Sequence, residues 1–377
     1  MMIRWIESFL CGRKQTVVVN GTSSSPADII SGVPQGTVLG PILFLIFIND
    51  IGHCISHSIV RCFADDTKIC KHIHSSEDVA ALQSDLENVI EWSHRNNMSL
   101  HKDKFEYISH TFNQQNLMYE LPFWIDSFTY TVSQDITLFP VDQLRDLGVI
   151  FTSEVSWSPH IRSITEKARK KSAWVFSVFA SRSPLVMLTL YKSMVRSLLE
   201  YCCPLWNHNK ISDIQELESV QKVFLSRISG TDGLNYWEML QHFSLMSLQR
   251  RRERYMVIHM WKMLNGRATN DINVQFIRRP RLGYQASVPS ISRSSSKKNQ
   301  SLRDTSFSIL GPRLWNSIPH SFTTMSELGA FKSRITELFM RIPDKPPLRG
   351  MTTKNSNSIL DWRIDKETSD LWGGHRR

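Results

Sequence analysis

"RCFADDTKIC", residues 61–70, sets two adjacent carboxylates, Asp65 and Asp66, between two short runs of strand-forming residues. The flanks "IVRCF" (59–63) and "TKICKHI" (67–73) are rich in β-branched and aromatic side chains, so Ala64, Asp65 and Asp66 read as the turn of a hairpin. Two chemistries fit that turn. Asp is favoured in turns because its carboxylate bonds to the local backbone. A hairpin tip can also present consecutive carboxylates to two divalent ions roughly 4 Å apart, which activate an attacking hydroxyl and stabilise a leaving phosphate oxygen. Neighbouring side chains on a regular strand diverge, so only a turn brings both towards the same ions. At least one more carboxylate must then come from elsewhere.

Upstream, "KQTVVV" (14–19) predicts a strand that stops at Asn20-Gly21. "SGVPQGTVLGP" (31–41) follows, with Gly32, Gly36 and Gly40. It is neither a Walker A loop nor a dinucleotide fingerprint. Glycines there either mark a loop or let a base pair or nucleotide lie against the main chain. Pro41 suits the first turn of a helix running through "ILFLIFINDI" (42–51). The apolar stretch "VLGPILFLIFI" (38–48) is too short to span a membrane and predicts a buried soluble helix.

Downstream, Ser75 and Ser76 open a helix whose apolar positions Val79, Leu82, Leu86, Val89 and Ile90 repeat at three and four, and Asn96-Asn97 end it. "FEYISHTF" (105–112), "DSFTYTVSQDITLF" (126–139) and "DLGVIF" (146–151) read as strands. Past residue 155 the pattern turns helical. Ser158-Pro159, Ser183-Pro184 and Ser212-x-x-Gln215 look like helix starts, and Ile214, Leu217, Val220, Phe224 and Ile228 mark one apolar face. A further helix runs from about Ser247 to Asn265, carries "QRRRER" (249–254) and stops at Gly266. Residues 287–301 form a Ser-rich basic linker, "SILGPRLWNSIPHSF" (308–322) and "LGAFKSRITELFMRI" (328–342) a small appended module, and the tail from Pro343 a disordered end.

The net charge of +10 is unevenly placed: residues 155–300 hold 23 Lys and Arg against 9 Asp and Glu. That balance points to a polyanionic partner, nucleic acid first, and a solvated basic face is the plain alternative. The N-terminus lacks the pattern of a signal peptide, so an intracellular protein, nuclear or cytoplasmic, is expected. Six cysteines without a framework suit reduced thiols, and His53, Cys54, His57 and Cys62 lack a zinc-finger spacing, so no zinc is expected. Trp157, Trp174, Trp206 and Trp261 fall mostly on apolar helix faces and are expected in the core.

In order along the chain, "WIESFLCGRKQTVVVNG" (5–21), "SGVPQGTVLGPILFLIFINDI" (31–51), "FADD" (63–66), "WSHRNNMSLHKDKFEY" (92–107) and "LGVIF" (147–151) resemble the palm of reverse transcriptases from non-LTR (LINE-type) retrotransposons. "HIRSITEKARKK" (160–171), "LYKSMVRSLLEYCCPLW" (190–206) and "IQELESVQKVFLSRI" (214–228) are similar to the sequence that follows it in that family. The resemblance implies an α+β fold: a partial right-hand polymerase palm, an antiparallel sheet with packed helices, over residues 1–154. A helical basic thumb and connection follow over 155–286, then the 287–301 linker, a C-terminal module over 302–342 and the tail 343–377.

The same resemblance implies roles. Asp65 and Asp66 are the metal-holding carboxylates, and Pro34, Gln35 and Gly36 line template and incoming nucleotide. Lys104 is the candidate general acid towards the leaving pyrophosphate. Leu147 and Gly148 support the primer end, and Arg162, Lys167, Arg169 and Lys170 contact duplex phosphates. His101 stands where Asn is more usual, and Phe105 where a small residue or Cys is common. The implied cofactor is Mg²⁺, with Mn²⁺ able to replace it. The implied partners are an RNA template, a DNA primer and deoxynucleoside triphosphates, with no membrane. The family's other catalytic Asp and its fingers are expected to precede the "GRKQ" region, outside this chain, which is therefore expected to be inactive without the polypeptide that supplies them. A noncatalytic nucleic-acid-binding remnant is the alternative.

Overall fold

In the computed structural model, the residues described are 1–98, 100–101, 104–110, 129–133, 136–207, 210–280, 283–289, 304–342 and 358–360. They form two units: residues 1–109 with 113–141, and residues 110–112 with 142–377.

The first unit opens with helix α1 (Met2–Leu10). Strands β1 (Lys14–Gln15), β2 (Val18–Val19), β3 (Thr22–Ser23) and β4 (Ala27–Asp28) fold back on themselves, β2 against β3 and β1 against β4. Asn20 and Gly21 have φ of 48° and 81°, the pattern of a type I′ turn, and the strand stops there as expected. Helix α2 (Leu39–Ile48) begins two residues before Pro41 and continues into a 3₁₀ turn, Asn49–Cys54. It is not the buried helix that its composition predicts. Ile42, Leu45, Ile46 and Phe47 are exposed, while Phe44 and Ile48 face a small core. The helix is apolar on every side, and the described part of this unit packs against only one of them.

Helix α3 (Ser76–Arg95) is the spine of the unit. Val89 and Trp92 pack with Ile48 and Ile51, and the Trp92 indole donates to Asp50 Oδ1 at 3.0 Å. Val79 and Leu86 pack with Tyr130 and Val132. The predicted apolar stripe thus serves two cores, and the helix ends at Asn96 with Asn97 left-handed (φ 52°). Residues 105–110 form an isolated bridge, Tyr107 to Pro140, in place of the predicted strand, and 111–112 lie outside the described residues. The single long strand predicted over 126–139 is a hairpin, β7 (Tyr130–Ser133) with β8 (Ile136–Leu138), and 126–128 lie outside the described residues. Strands β5 (Ile59–Phe63) and β6 (Asp66–Cys70) pair only with each other. Among the described residues every ladder has two strands, so the expected antiparallel sheet is present as separate hairpins and the class is α+β.

The second unit begins with another hairpin, β9 (Gln143–Asp146) and β10 (Val149–Thr152). "DLGVIF" is therefore a turn between two strands: Leu147 and Gly148 have φ of 44° and 85°. Helices α4 (Ser158–Val178), α5 (Pro184–Leu190), α6 (Arg196–Glu200), α7 (Cys203–Trp206), α8 (Ile211–Leu225) and α9 (Tyr236–His242) enclose the first core, with one π turn, Tyr191–Val195, joining α5 to α6. Ile214, Leu217, Val220, Phe224 and Ile228 are all buried, as their spacing predicts. Ser183 occupies the N-cap position of α5 ahead of Pro184, without a side-chain capping bond, and Ser158 and Ser212 lie inside their helices. The Ser158 hydroxyl donates to Asp213 Oδ2 at 2.6 Å, so a contact between helices replaces a cap. The capping box is at Asn235 and Glu238, starting α9.

Helix α10 (Leu248–Leu264) has Ser247 as N-cap and ends at Asn265 before left-handed Gly266, as predicted. Its "QRRRER" run is interior. Gln249, Arg250, Arg252 and Glu253 are buried. Arg250 Nη1 donates to the Phe339 and Ile342 carbonyls, each at 3.3 Å, and Arg252 Nε to Asn207 Oδ1 at 2.9 Å. Arg251 pairs with Glu200, Nη2 to Oε2 at 3.0 Å. Part of the positive charge counted along the sequence is therefore spent inside the fold, because a buried guanidinium persists only when it is hydrogen-bonded.

The second core lies between α10, strands β11 (Phe276–Arg279) and β12 (Gly283–Ala286), and helices α11 (Phe307–Ser317), α12 (His320–Thr323) and α13 (Leu328–Arg341). "LWNSIPHSF" seals the free edge of β12. The Trp315 indole donates to the Tyr284 carbonyl at 2.8 Å, and the Asn316 amide both accepts from and donates to Ala286, each at 2.9 Å. Thr323 Oγ1 accepts the Tyr284 N–H at 3.1 Å, so close that a Cβ on Gly283 would lie 2.2 Å from it. All but 287–289 of the Ser-rich linker, and all but 358–360 of the tail, lie outside the described residues. Ile359 is buried in this core and donates its N–H to Glu253, whose acid burial pushes up to about 7.

His160, in α4, is buried beside the Trp206 ring, and its Nδ1 accepts the Ile150 N–H at 3.3 Å. Burial, with the charges of Lys167 and Arg145, lowers its pKa from 6.5 to about 4. The unfolded chain therefore binds this proton first, so the stability that neutral His160 contributes is present above pH 6.5 and lost as the pH falls towards 4. Urea midpoints measured across that range should fall more steeply for the wild type than for His160→Gln; parallel curves would refute the assignment.

Candidate active site

The register Phe63↔Asp66 leaves only Ala64 and Asp65 to close the β5–β6 hairpin. A two-residue loop needs positive φ at its first position, and Ala64 has φ 53°. Asp65 is thus a loop residue and Asp66 the first residue of β6, both exposed. The turn sets the neighbouring carboxylates at one end of the hairpin. Two hard oxygen donors open to solvent suit a magnesium-like ion that completes its shell with water and substrate phosphates. Among the described residues, no group of three or more His, Cys, Asp or Glu side chains is arranged to hold a metal ion.

The base of the hairpin is fixed from α3. Buried Asp85 accepts the Ser56 N–H at 2.9 Å and the His57 N–H at 3.0 Å, and Lys71 ties the His57 carbonyl (3.0 Å) to Asp78 (3.4 Å). Burial alone would raise the Asp85 pKa; the Ser56 and His57 N–H groups and the Ser58 hydroxyl outweigh it and hold the acid below its ordinary range. The sequence marked Asp85 only as a polar position on an amphipathic helix.

Pro34, Gln35 and Gly36 lie on the loop entering α2, with Gln35 and Gly36 exposed. Thr37 Oγ1 donates to the Pro34 carbonyl at 2.8 Å and accepts the Gly40 N–H at 3.1 Å. A Cβ at Gly40 would sit 2.6 Å from that carbonyl, so the loop's path requires glycine there. Arg13 Nη2 holds the other end through the Gly32 carbonyl at 2.6 Å. Lys104 is exposed, its N–H bonded to the His101 carbonyl at 3.1 Å, and 102–103 lie outside the described residues. Among the described residues no hydrogen bond or ion pair joins this loop, the carboxylate tip and Lys104 to one another. Leu147 and Gly148 belong to the second unit.

Arg162, Lys167, Arg169 and Lys170 all lie on the exposed side of α4. Arg169 already pairs with Glu216 at 2.8 Å, and Lys170 with Glu166 at 2.6 Å. Arg162 and Lys167 have no carboxylate partner among the described residues. Trp206 and Trp261 are core, but Trp174 is exposed with Lys171 Nζ 4.9 Å from its ring centroid, and Trp157 is half-buried. The spacing Lys167, Lys171, Trp174 is helical and would have marked this face; an expectation of buried tryptophans hid it.

The reverse transcriptase (RNA-dependent DNA polymerase) family matches residues 1–151, a span that includes the hairpin, the glycine loop, Lys104 and the Leu147-Gly148 turn. Residues 1–151 are similar to the reverse transcriptase family. The chain is 25% identical over 235 residues to the probable RNA-directed DNA polymerase from transposon X-element of Drosophila melanogaster, covering 60% of the chain and 25% of that protein. It is 27% identical over 240 residues to the RNA-directed DNA polymerase from mobile element jockey of Drosophila funebris, covering 61% and 25%. Both alignments are longer than the family match, so the likeness includes part of the helical unit. The resemblance to non-LTR retrotransposon reverse transcriptases read from the motifs holds. The chain spans about a quarter of the length of the curated relatives it matches. No solved structure matches it. Among the described residues no helix is long and apolar enough to cross a membrane.

The hairpin that carries Asp65 and Asp66 depends on Asp85 for its base. Asp85→Ala removes a buried carboxylate and its hydrogen bonds to the Ser56 and His57 N–H groups and should cost about 1–3 kcal/mol in a urea melt; an unchanged midpoint would show that the hairpin is held otherwise.

Proposed function

We propose that the chain supplies the second half of a polymerase palm and a thumb to RNA-directed DNA synthesis: attack of a primer 3′-hydroxyl on the α-phosphate of a deoxynucleoside triphosphate. The exposed two-residue turn with adjacent carboxylates, inside a reverse transcriptase match, carries this reading. Asp65 and Asp66 would hold divalent cations, Mg²⁺ or Mn²⁺. Bound there, the cations would supply activation of the hydroxyl and neutralisation of charge at the phosphate. Pro34, Gln35 and Gly36 present a main chain that a template base and an incoming nucleotide can approach closely. Lys104 would donate a proton to the leaving pyrophosphate. Leu147 and Gly148 support the primer terminus.

Two carboxylates do not complete such a site, and the third has to be brought to this tip. The 377-residue chain by itself should therefore fail to extend a primer on an RNA template with either Mg²⁺ or Mn²⁺. Extension that Asp65→Ala abolishes would overturn this and show that the chain contains the missing ligand.

The outward side of α4 is the duplex-binding surface, with Arg162 and Lys167, which lack a carboxylate partner among the described residues, as its cations and Trp174 beside Lys171 as an apolar contact. Replacing Arg162 or Lys167 by Ala should lower the slope of log affinity against log salt by about 1 each, whereas Arg169→Ala, whose charge Glu216 already offsets, should change it less. Fluorescence anisotropy of a labelled RNA–DNA duplex reads the slopes; identical slopes would remove α4 from the interface. The incomplete ligand set also favours a second reading, a nucleic-acid-binding remnant without catalysis. It predicts that affinity ignores Asp65→Ala and added Mg²⁺ alike.

A further inference from the structure

The chain closes two hairpins with positive φ at both loop residues. At 20–21 it uses Asn-Gly, the pair that tolerates this conformation best. At 147–148 it uses Leu-Gly. A leucine is disfavoured in left-handed backbone, and here its side chain is 38% exposed, so burial does not compensate. Something must hold the turn in this shape.

Tyr201, between α6 and α7, does so from the helical side. Its hydroxyl donates to the Leu147 carbonyl at 3.0 Å, and its ring lies so near that a Cβ on Gly148 would stand 3.6 Å from Cε1. The Trp206 indole in turn donates to the Tyr201 carbonyl at 2.9 Å, and Trp206 is wholly buried. One residue beyond the turn, Val149 is buried in the core, and the Ile150 N–H is taken by His160. The start of β10 is locked by packing; the turn before it is held by one hydroxyl.

We propose that Tyr201 is a positioning residue for the primer terminus, orienting the Leu147-Gly148 turn through its hydroxyl. This rests on the reading of that turn as the primer support. Tyr201 is 57% exposed and its ring packs no core, so a stabilising role explains neither its accessible position nor its aim at the one carbonyl of the strained leucine.

The test uses the full chain and an RNA template annealed to a DNA primer with 2-aminopurine at its 3′ end and a fluorophore at its 5′ end. Anisotropy of the fluorophore reports binding of the duplex, and 2-aminopurine emission reports the environment of the terminal nucleotide. Leu147→Gly, which suits the left-handed backbone, is the reference for the turn itself; Tyr201→Phe removes only the hydroxyl. Duplex affinity should change less than about twofold in both variants, because phosphate contacts dominate it. The binding-induced change in 2-aminopurine emission should fall at least by about half in both: Tyr201→Phe loses the hydroxyl that orients the turn, and Leu147→Gly loses the side chain and gives the turn a backbone freedom that one hydroxyl does not restrain. A purely structural hydroxyl would lower the melting temperature of Tyr201→Phe and leave the emission change intact, which overturns the proposal. If Leu147→Gly also leaves it intact, the turn is not the primer support and both readings fall together.

Discussion

Joining two strands with only two residues is the constraint on which the candidate site depends. Side chains alternate along a strand, so adjacent aspartates within either arm of the hairpin would face opposite ways. Because Phe63 pairs with Asp66, Asp65 is forced into the loop and Asp66 to the start of β6, and the two carboxylates occupy one end. The closure is possible because Ala64 accepts φ 53°, a conformation that a β-branched residue would resist. The opposite end is held by a buried carboxylate rather than by more sheet: Asp85 collects the backbone donors at 56 and 57. A two-stranded ribbon has little stability of its own, and its packing on α3, through Ile69 and the Trp92 cluster, makes the tip a defined object.

The helical unit separates charge that stabilises from charge that faces solvent. Arg250, Arg251 and Arg252 are consecutive, yet each serves a different internal partner: carbonyls near the end of α13, the Glu200 carboxylate, and Asn207. Arg250 thus adds a positive group where the α13 dipole is negative. Helix α10 borders both cores of the unit, so these contacts join the two halves of the fold. The cations Arg162, Lys167, Arg169 and Lys170 of α4 are exposed instead, and Arg169 and Lys170 pair with Glu216 and Glu166.

The β9–β10 hairpin shows how a local motif can be governed by residues distant in sequence. Its ladder and turn are local, but the orientation of its tip is set by Tyr201, 54 residues away. The family match ends at 151, whereas the turn's partners, His160 and Tyr201, lie beyond it in the helical unit. The span of the family match and the span of physical support are therefore not the same.

The sequence by itself determined the period-driven and turn-driven parts of this protein: the Asn20-Gly21 turn, the hairpin around Ala64-Asp65, helix α3 with its two Asn at the end, the buried face of α8, and both ends of α10. These follow from interactions within a few residues, which is why pattern and capping chemistry suffice. The paired Asp residues and the order of the surrounding motifs likewise carried the family. Tertiary structure alone decided that Tyr201 bonds the Leu147-Gly148 turn, that Ser158 bonds across helices, that "QRRRER" is interior and that α2 keeps an exposed apolar side. Each of those depends on what another segment brings to within hydrogen-bonding or packing distance: a carboxylate at 213, carbonyls at 339 and 342, a hydroxyl at 201. Composition fixes how many charges and apolar groups a chain carries, but only the fold fixes which of them meet solvent.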